Sequence, residues 1–253
     1  MLRSLIPCHR QLIRTGEYFL AHGEPEVHLI PRLVTPGSTV IDVGAHIGDY
    51  TYALCKQVAP SGKVIAIEPQ PNLARRLRRA TEKLRLPVTV HCCALSSKEG
   101  EANLLTPTEA GVEKLGYATL EQRTTGGTVC RVPIHRLDDL CRDIGAISFI
   151  KIDVEGHELE VLRGSTETLK HHRPNLLVEI EQRHSAVPIS ETLNFITSQG
   201  YRGEFLDRDQ NLQPLATFDP AIHQADPRLA GRGYVSNFIF RPIDDKVLMQ
   251  NML

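Results

Sequence analysis

The stretch "TVIDVGAHIGDYT", Thr39 to Thr51, joins an apolar run to a glycine turn and then to a helix-like segment. Thr39 to Val43 reads as a buried strand, Gly44 and Gly48 follow at a G-x-x-x-G spacing, and "YTYALCKQV" continues as a helix. A strand that passes through a glycine turn into a helix is the opening unit of an open α/β sheet.

The same alternation continues outward. "KVIAIEP" is a second strand, "NLARRLRRATEKLRL" a helix and "VTVHCCAL" a third strand. Between Glu99 and about Gly145 the pattern breaks. There "TTGG" separates the β-prone runs "YATLEQR" and "TVCRVPI", so a hairpin insert is expected. "LDDLCRDIG" returns the chain to the sheet as a short helix. "ISFIKID" is the fourth strand, "ELEVLRGSTETLKHH" one helix, "NLLVEIE" the fifth strand and "SETLNFITSQG" another helix. "YRGEFLD" and, after a polar loop from Arg208 to Gly233, "YVSNFIFRP" complete the set. The expectation is a doubly wound, mostly parallel sheet. Residues 1–36 form an N-terminal helical segment or lid, and 37–253 the main domain with its insert at about 99–145.

Composition narrows the function classes. The 253 residues carry a net charge of −1 and no basic tract, which disfavours electrostatic capture of nucleic acid or of a membrane surface. Arg75, Arg76, Arg78 and Arg79 fall on an amphipathic helix and read as a solvated face. The six cysteines show neither a C-x-x-C pair nor zinc spacing, so free thiols in a reducing compartment are expected. The apolar run at the N-terminus is broken by Pro7, His9 and Arg10, and no later run could span a bilayer. A cytoplasmic protein with no membrane span follows; oligomeric state stays open.

In a doubly wound sheet, ligands bind beyond the carboxyl ends of the strands. Those ends carry Asp42, Glu68, Ala94-Leu95, Asp153 and Glu179-Ile180-Glu181. A dinucleotide fingerprint would require glycines at positions 46 and 49, which hold His46 and Asp49, so a pyrophosphate on the helix N-terminus is disfavoured. Glu68 is placed to accept both ribose hydroxyls of a nucleoside, and Asp42 to accept hydrogen bonds from a cationic amine. Together with D-x-G-x-x-x-G, Glu68 selects S-adenosylmethionine (SAM) over a nicotinamide cofactor.

Here the chain resembles the FkbM family of SAM-dependent methyltransferases. The resemblance rests on "VIDVGAHIGDYT", "GKVIAIEPQP", "HCCALSSKEGEANL", "FIKIDVEGHELEVLRG" and "PNLLVEIE", in this order, with a weaker echo at "GYVSNFIF". It implies the Rossmann-like class I fold, seven-stranded with an antiparallel last strand. It also implies O-methylation of a hydroxyl on a sugar, glycan or polyketide-type natural product. By the same resemblance Asp42, Gly44 and Gly48, with Ala45 and His46 between them, would line the methionine end of SAM. Glu68 would hold the ribose, Pro69 and Gln70 would flank the adenine, and Ala94 and Leu95 would border its other side. Where many such enzymes place an acid for the adenine amino group this chain has Cys93-Ala94, so a backbone carbonyl or Ser96 must substitute. A side chain added at Gly44 is expected to block the cofactor and spare the fold.

"KIDVEGHE" supplies the candidate catalytic set Asp153, His157 and Lys151. Lys151 and Asp153 share one face of the strand end and can pair with each other. Asp153 has three competing roles: holding the methionine amine, taking the acceptor proton, or binding a metal with Glu179 and Glu181. His157 has the pKa range of a general base. Glu158 in the first helical turn reads as structural. The alternatives are a metal-dependent methyltransferase, a SAM-binding module without catalysis and, least favoured, an oxidoreductase.

Overall fold

The N-terminal segment starts with α1 (Cys8–His22), passes a 3₁₀ turn (Pro25–Leu29) and ends in α2 (Ile30–Leu33). In this computed structural model residues 7–121, 126–226 and 233–244 are described. The first half of the sheet follows as β1 (Thr39–Val43), α3 (Asp49–Val58), β2 (Lys63–Ile67), α4 (Pro71–Leu84) and β3 (Val88–His91). The insert contains β4 (Ala94–Leu95), β5 (Gly100–Glu109), β6 (Val112–Glu113) and β7 (Gly127–His135), after which α5 (Leu137–Leu140) leads back. The second half is β8 (Ile147–Ile152), α6 (Glu158–Arg163), α7 (Thr166–His172), β9 (Asn175–Glu179), α8 (Ile189–Ser198), β10 (Tyr201–Leu206), β11 (Leu212–Pro214) and β12 (Asn237–Pro242).

The main sheet has the order β11-β10-β12-β9-β8-β1-β2-β3. Neighbours from β9 to β3 run parallel, and β12 lies antiparallel to both β9 and β10. The fold is thus the expected Rossmann-like one. Its sheet has eight strands rather than seven, because β11 adds a short edge to β10. From β1 the chain builds β2 and β3 on one side and later β8 and β9 on the other, which puts the topological switch between β1 and β8.

Strand alternation feeds two apolar layers. Ile41, Val43, Ile150, Ile152, Leu176 and Val178 pack with Val161, Leu162 and Leu169 of α6 and α7. Val40, Val64, Phe149 and Leu177 pack on the opposite face with Leu54 and Val58 of α3. Val27, Ile30 and Leu33 belong to that second layer, so the N-terminal segment is packed into the core. All six cysteines are free, and burial pushes the Cys55, Cys93 and Cys141 thiols up to about 12. Among the described residues no helix is long and apolar enough to cross a membrane.

Three local expectations change. The insert hairpin pairs β5 with β7, not the 117–123 run with β7. Thr119 meets Leu105 in a single bridge, and part of the expected 117–123 strand and of the "TTGG" turn lies outside the described residues. "VTVHCCAL" is divided between sheets, β3 in the main one and β4 against β7 in the small one. The helix from Glu158 to His172 is broken at Gly164, where a Cβ would stand 2.1 Å from the Ser96 carbonyl oxygen. Backbone of the insert side approaches so closely there that only glycine fits.

Gly44 has a different cause from the one the sequence suggests. Its φ is +83°, and a Cβ would lie 1.8 Å from the backbone oxygen of Asp153. The side chain would strike the end of β8 itself, so the expectation that a substitution spares the fold is corrected. Gly44→Ala should lower stability by roughly 3 kcal/mol or more, combining left-handed strain with overpacking. Thermal unfolding checks this, and a wild-type melting temperature would contradict it.

Candidate active site

The carboxyl ends of β1, β2, β8 and β9 open into a cavity of about 410 Å³. Glu68 follows β2 and is buried on its wall. Its Oε2 accepts the His46 backbone N–H at 2.7 Å and its Oε1 accepts the Gln70 N–H at 2.8 Å. His46 reaches that position with φ +48°, a left-handed residue between two left-handed glycines. Burial pushes the Glu68 carboxyl up to about 7, against the two N–H donors, which favour the ionised form. Pro69, Gln70, Ala94 and Leu95 extend this wall, and Gln70 donates its side-chain amide to the Leu115 carbonyl of the insert at 2.9 Å.

Beside it lies a smaller cavity of about 140 Å³, which shares Glu24, Gly44, His46 and Asp153 with the large one. Asp42, Ala45 and Asp49 line it. Asp42 is fully buried and accepts the Thr51 hydroxyl at 2.5 Å through Oδ2, while its Oδ1 and the Oδ1 of Asp49 are buried with no hydrogen-bond partner. Burial raises the Asp42 pKa above the usual carboxylate range. Buried acceptors left bare are uncommon and call for an explanation.

Lys151 also lines the small cavity. Its Nζ donates to Asp153 Oδ2 at 2.7 Å and stands 4.6 Å from the centre of the Tyr50 ring. Asp153 faces both cavities, as expected of a switch-point residue. Glu179, on the next strand, lines the large cavity. The Asp153 charge, then burial, push its carboxyl well above the ordinary range. Glu155 has φ +56° and pairs with His184 at 2.5 Å, and burial raises its pKa.

His157 lines the large cavity with both ring nitrogens engaged. Nε2 is 3.0 Å from Ser96 Oγ, and Nδ1 is 2.8 Å from Glu121 Oε1. It joins the insert to the start of α6. Thr119 adds a second tie, donating its hydroxyl to the Glu155 carbonyl at 2.8 Å. Glu158 caps its own turn by accepting the Gly156 N–H at 2.7 Å.

Of the sequence candidates, Gly48 and Ser96 are on neither cavity: a Cβ at Gly48 would meet Leu77 and Leu12, so its glycine serves the packing of α1 and α4, and the Ser96 hydroxyl is engaged by His157. The sequence reading named neither Glu24 nor Asp49 nor, within the insert, Leu115 to Ala118 and Leu120, all of which line the cavities. Glu24 sits in an N-terminal turn with no motif, yet it lines both cavities and accepts the Tyr50 hydroxyl at 2.8 Å. Asp49 directly follows Gly48 and could have been found from the glycine motif. Among the described residues no three His, Cys, Asp or Glu side chains converge as a metal site.

The profile of the Methyltransferase FkbM domain matches residues 42–202, more than half of the chain. The chain belongs to the FkbM methyltransferase family. It is a SAM-dependent transferase by that membership. Methyltransferase sdnD of Sordaria araneosa is 30% identical over 183 residues, 61% of this chain and 70% of the relative. The hexuronic acid methyltransferase AglP of Haloferax volcanii is 30% identical over 58% of this chain and 59% of its own length. The 31-O-demethyl-FK506 methyltransferase FkbM of Streptomyces tacrolimicus is 30% identical over 60% and 65% respectively. The chain therefore spans less than two thirds of the latter two. The crystal structure of Methyltransferase FkbM from Methylobacillus flagellatus shares the fold, with a TM-score of 0.53 at 18% identity, covering 94% of this chain and 56% of that one.

Several acids in and around the cavities are buried, and these set a pH dependence. Burial pushes Glu158 up to about 7 from an ordinary 4.5, and Glu26 and Glu68 likewise to about 7. The folded state holds their protons where the unfolded chain has lost them. This contribution is complete below the unfolded value and is lost as pH rises through about 7. Melting temperature should fall between about pH 5 and about pH 8, and Glu158→Gln should flatten the fall by on the order of 3 kcal/mol, since the amide oxygen can still accept from Gly156. An E158Q profile that parallels the wild type would contradict the assignment.

Proposed function

We propose that this chain transfers the methyl group of SAM to a hydroxyl of a sugar, glycan or polyketide-type natural product. The observation that carries the reading is Glu68, a buried carboxylate fixed by two backbone N–H groups at the end of β2. Each oxygen keeps a lone pair for a further donor, which suits the two hydroxyls of a ribose. The apolar wall of Ile67, Leu95 and Leu104 beside it suits an adenine ring. The bare oxygens of Asp42 and Asp49 in the adjoining cavity suit the ammonium of the methionine end. The residues present therefore fit the group.

SAM, when bound, supplies an electrophilic methyl on a sulfonium. Asp153 takes up the proton released as the acceptor oxygen gains the methyl, and Lys151 fixes its orientation through the 2.7 Å hydrogen bond. Glu179 stands beside Asp153 on the next strand end, where the Asp153 charge and then burial push its carboxyl well above the ordinary range. His157 has no ring nitrogen to spare and acts as a positioning residue that holds the insert over the cavity. Alignment of oxygen and methyl contributes on the order of 7–11 kcal/mol at most. The names of two relatives, a hexuronic acid methyltransferase and a 31-O-demethyl-FK506 methyltransferase, support an oxygen acceptor.

Calorimetry with S-adenosylhomocysteine (SAH), the demethylated product, tests the cofactor assignment. Glu68→Gln should weaken binding roughly ten- to a hundredfold. Asp153→Asn should cut turnover by about 10²–10⁴-fold in a folded protein. Unchanged SAH affinity in the first variant would remove Glu68 from the site. An equal loss in His157→Ala with its own pH profile flattened would move the base to His157.

A further inference from the structure

A third cavity, of about 400 Å³, shares Glu24, Glu179, Glu181 and Arg183 with the large one. It runs from the N-terminal turn to the start of β12, away from the wall that carries Glu68. Asn237 stands on its lining with only 4% of its surface exposed. The Nδ2 of Asn237 donates to Glu24 Oε2 at 3.3 Å, but its Oδ1 has no partner. Tyr234 donates its hydroxyl to Glu181 Oε2 at 2.5 Å, and Arg183 grips both oxygens of the same carboxylate at 2.7 and 2.8 Å.

We propose that this cavity is the acceptor subsite and that the acceptor is a neutral, polyhydroxylated glycosyl ring. The proposal rests on the reading of the large cavity as the SAM site. Ile152 is in register with Val178, so Asp153 and Glu179 leave the sheet side by side. An acceptor in the third cavity would present its hydroxyl to Asp153 past Glu179, where the two cavities meet.

The chemistry of the wall selects the ligand. Five acidic residues line it, Glu24, Glu26, Glu179, Glu181 and Asp207, with two arginines, of which Arg183 is paired with Glu181. Hydroxyls donate hydrogen bonds, and the wall offers acceptors: the bare Asn237 oxygen, Glu24 and Glu179. A sugar bearing its own carboxylate would enter among carboxyl groups that burial and neighbouring acids already push up at Glu26 and Glu179, at a further cost. An apolar ring would leave the buried Asn237 oxygen unsatisfied. The volume lies within the usual range of small-ligand sites.

The test uses the full chain saturated with SAH for binding, and methyl-labelled SAM for turnover. Methyl glycosides of neutral hexoses are compared with methyl glucuronoside and methyl glucosaminide by ligand-observed NMR. Neutral glycosides should bind and be methylated, and the glucuronoside should be at least about tenfold weaker. Asn237→Ala and, as a milder change, Tyr234→Phe should raise KM for the neutral glycoside about tenfold and a few-fold, with SAH affinity within about twofold of wild type. Preference for the glucuronoside or the glucosaminide would overturn the proposal. So would SAH binding with no glycoside bound, or an unchanged KM in both variants. Failure of the wild type to bind SAH would instead bring down the SAM reading beneath it.

Discussion

A single buried ammonium, that of Lys151, holds the ends of the central strands together. Lys151 stands opposite Asp42 in the β1–β8 register, donates to Asp153 and lies over the Tyr50 ring, whose hydroxyl is bonded to Glu24. Burial by itself would lower its pKa. The carboxylates of Asp153, Glu24, Asp42 and Glu179 outweigh that effect and raise it above the ordinary lysine value. An isolated charge at this depth would cost several kcal/mol, and four unneutralised carboxylates would cost more. Each side therefore makes the other tolerable, and together they connect β1, β8, α3 and the N-terminal turn.

From that centre the geometry of the site follows. With β1 and β8 drawn together, the Asp153 carbonyl presses on Gly44, and the chain must turn through left-handed residues at Gly44, His46 and Gly48. This turn aims the His46 N–H at Glu68. On the other side the reversal through Glu155 and Gly156 starts α6 and presents His157 to the insert. The insert is thereby anchored at Gln70, Glu155 and His157, around the rim of the large cavity.

Much of this was legible in the sequence because it depends on short-range pattern. Apolar runs mark the strands, and the acids at the ends of β1, β2 and β8 could be placed at one edge from the strand–turn–helix order alone. The reason for Gly44 was not legible, since its crowding comes from Asp153, more than a hundred positions away. Glu24 was invisible for the same reason: only the packing of Val27, Ile30 and Leu33 brings its turn to the cavity. The hairpin was expected in the right region but with the wrong first strand. "ANLLTPTE" lies after a turn and lacks clean alternation, whereas "YATLEQR" has the β-prone composition, yet its described part meets β5 only in the Thr119–Leu105 bridge. His157 has the pKa range of a base in sequence, yet its two partners come from the insert and from the Ser96 region.

Neutralisation by Lys151 of the acids around the two cavities is the central interaction. Thermal unfolding of Lys151→Met across pH, with and without SAH, measures this most directly. Removing the ammonium should destabilise the protein by about 3–5 kcal/mol near neutral pH and abolish stabilisation by SAH. The loss should shrink toward about pH 5, as protonation relieves the carboxylates left unpaired. A variant with the wild-type melting temperature at neutral pH and an undiminished SAH shift would contradict it.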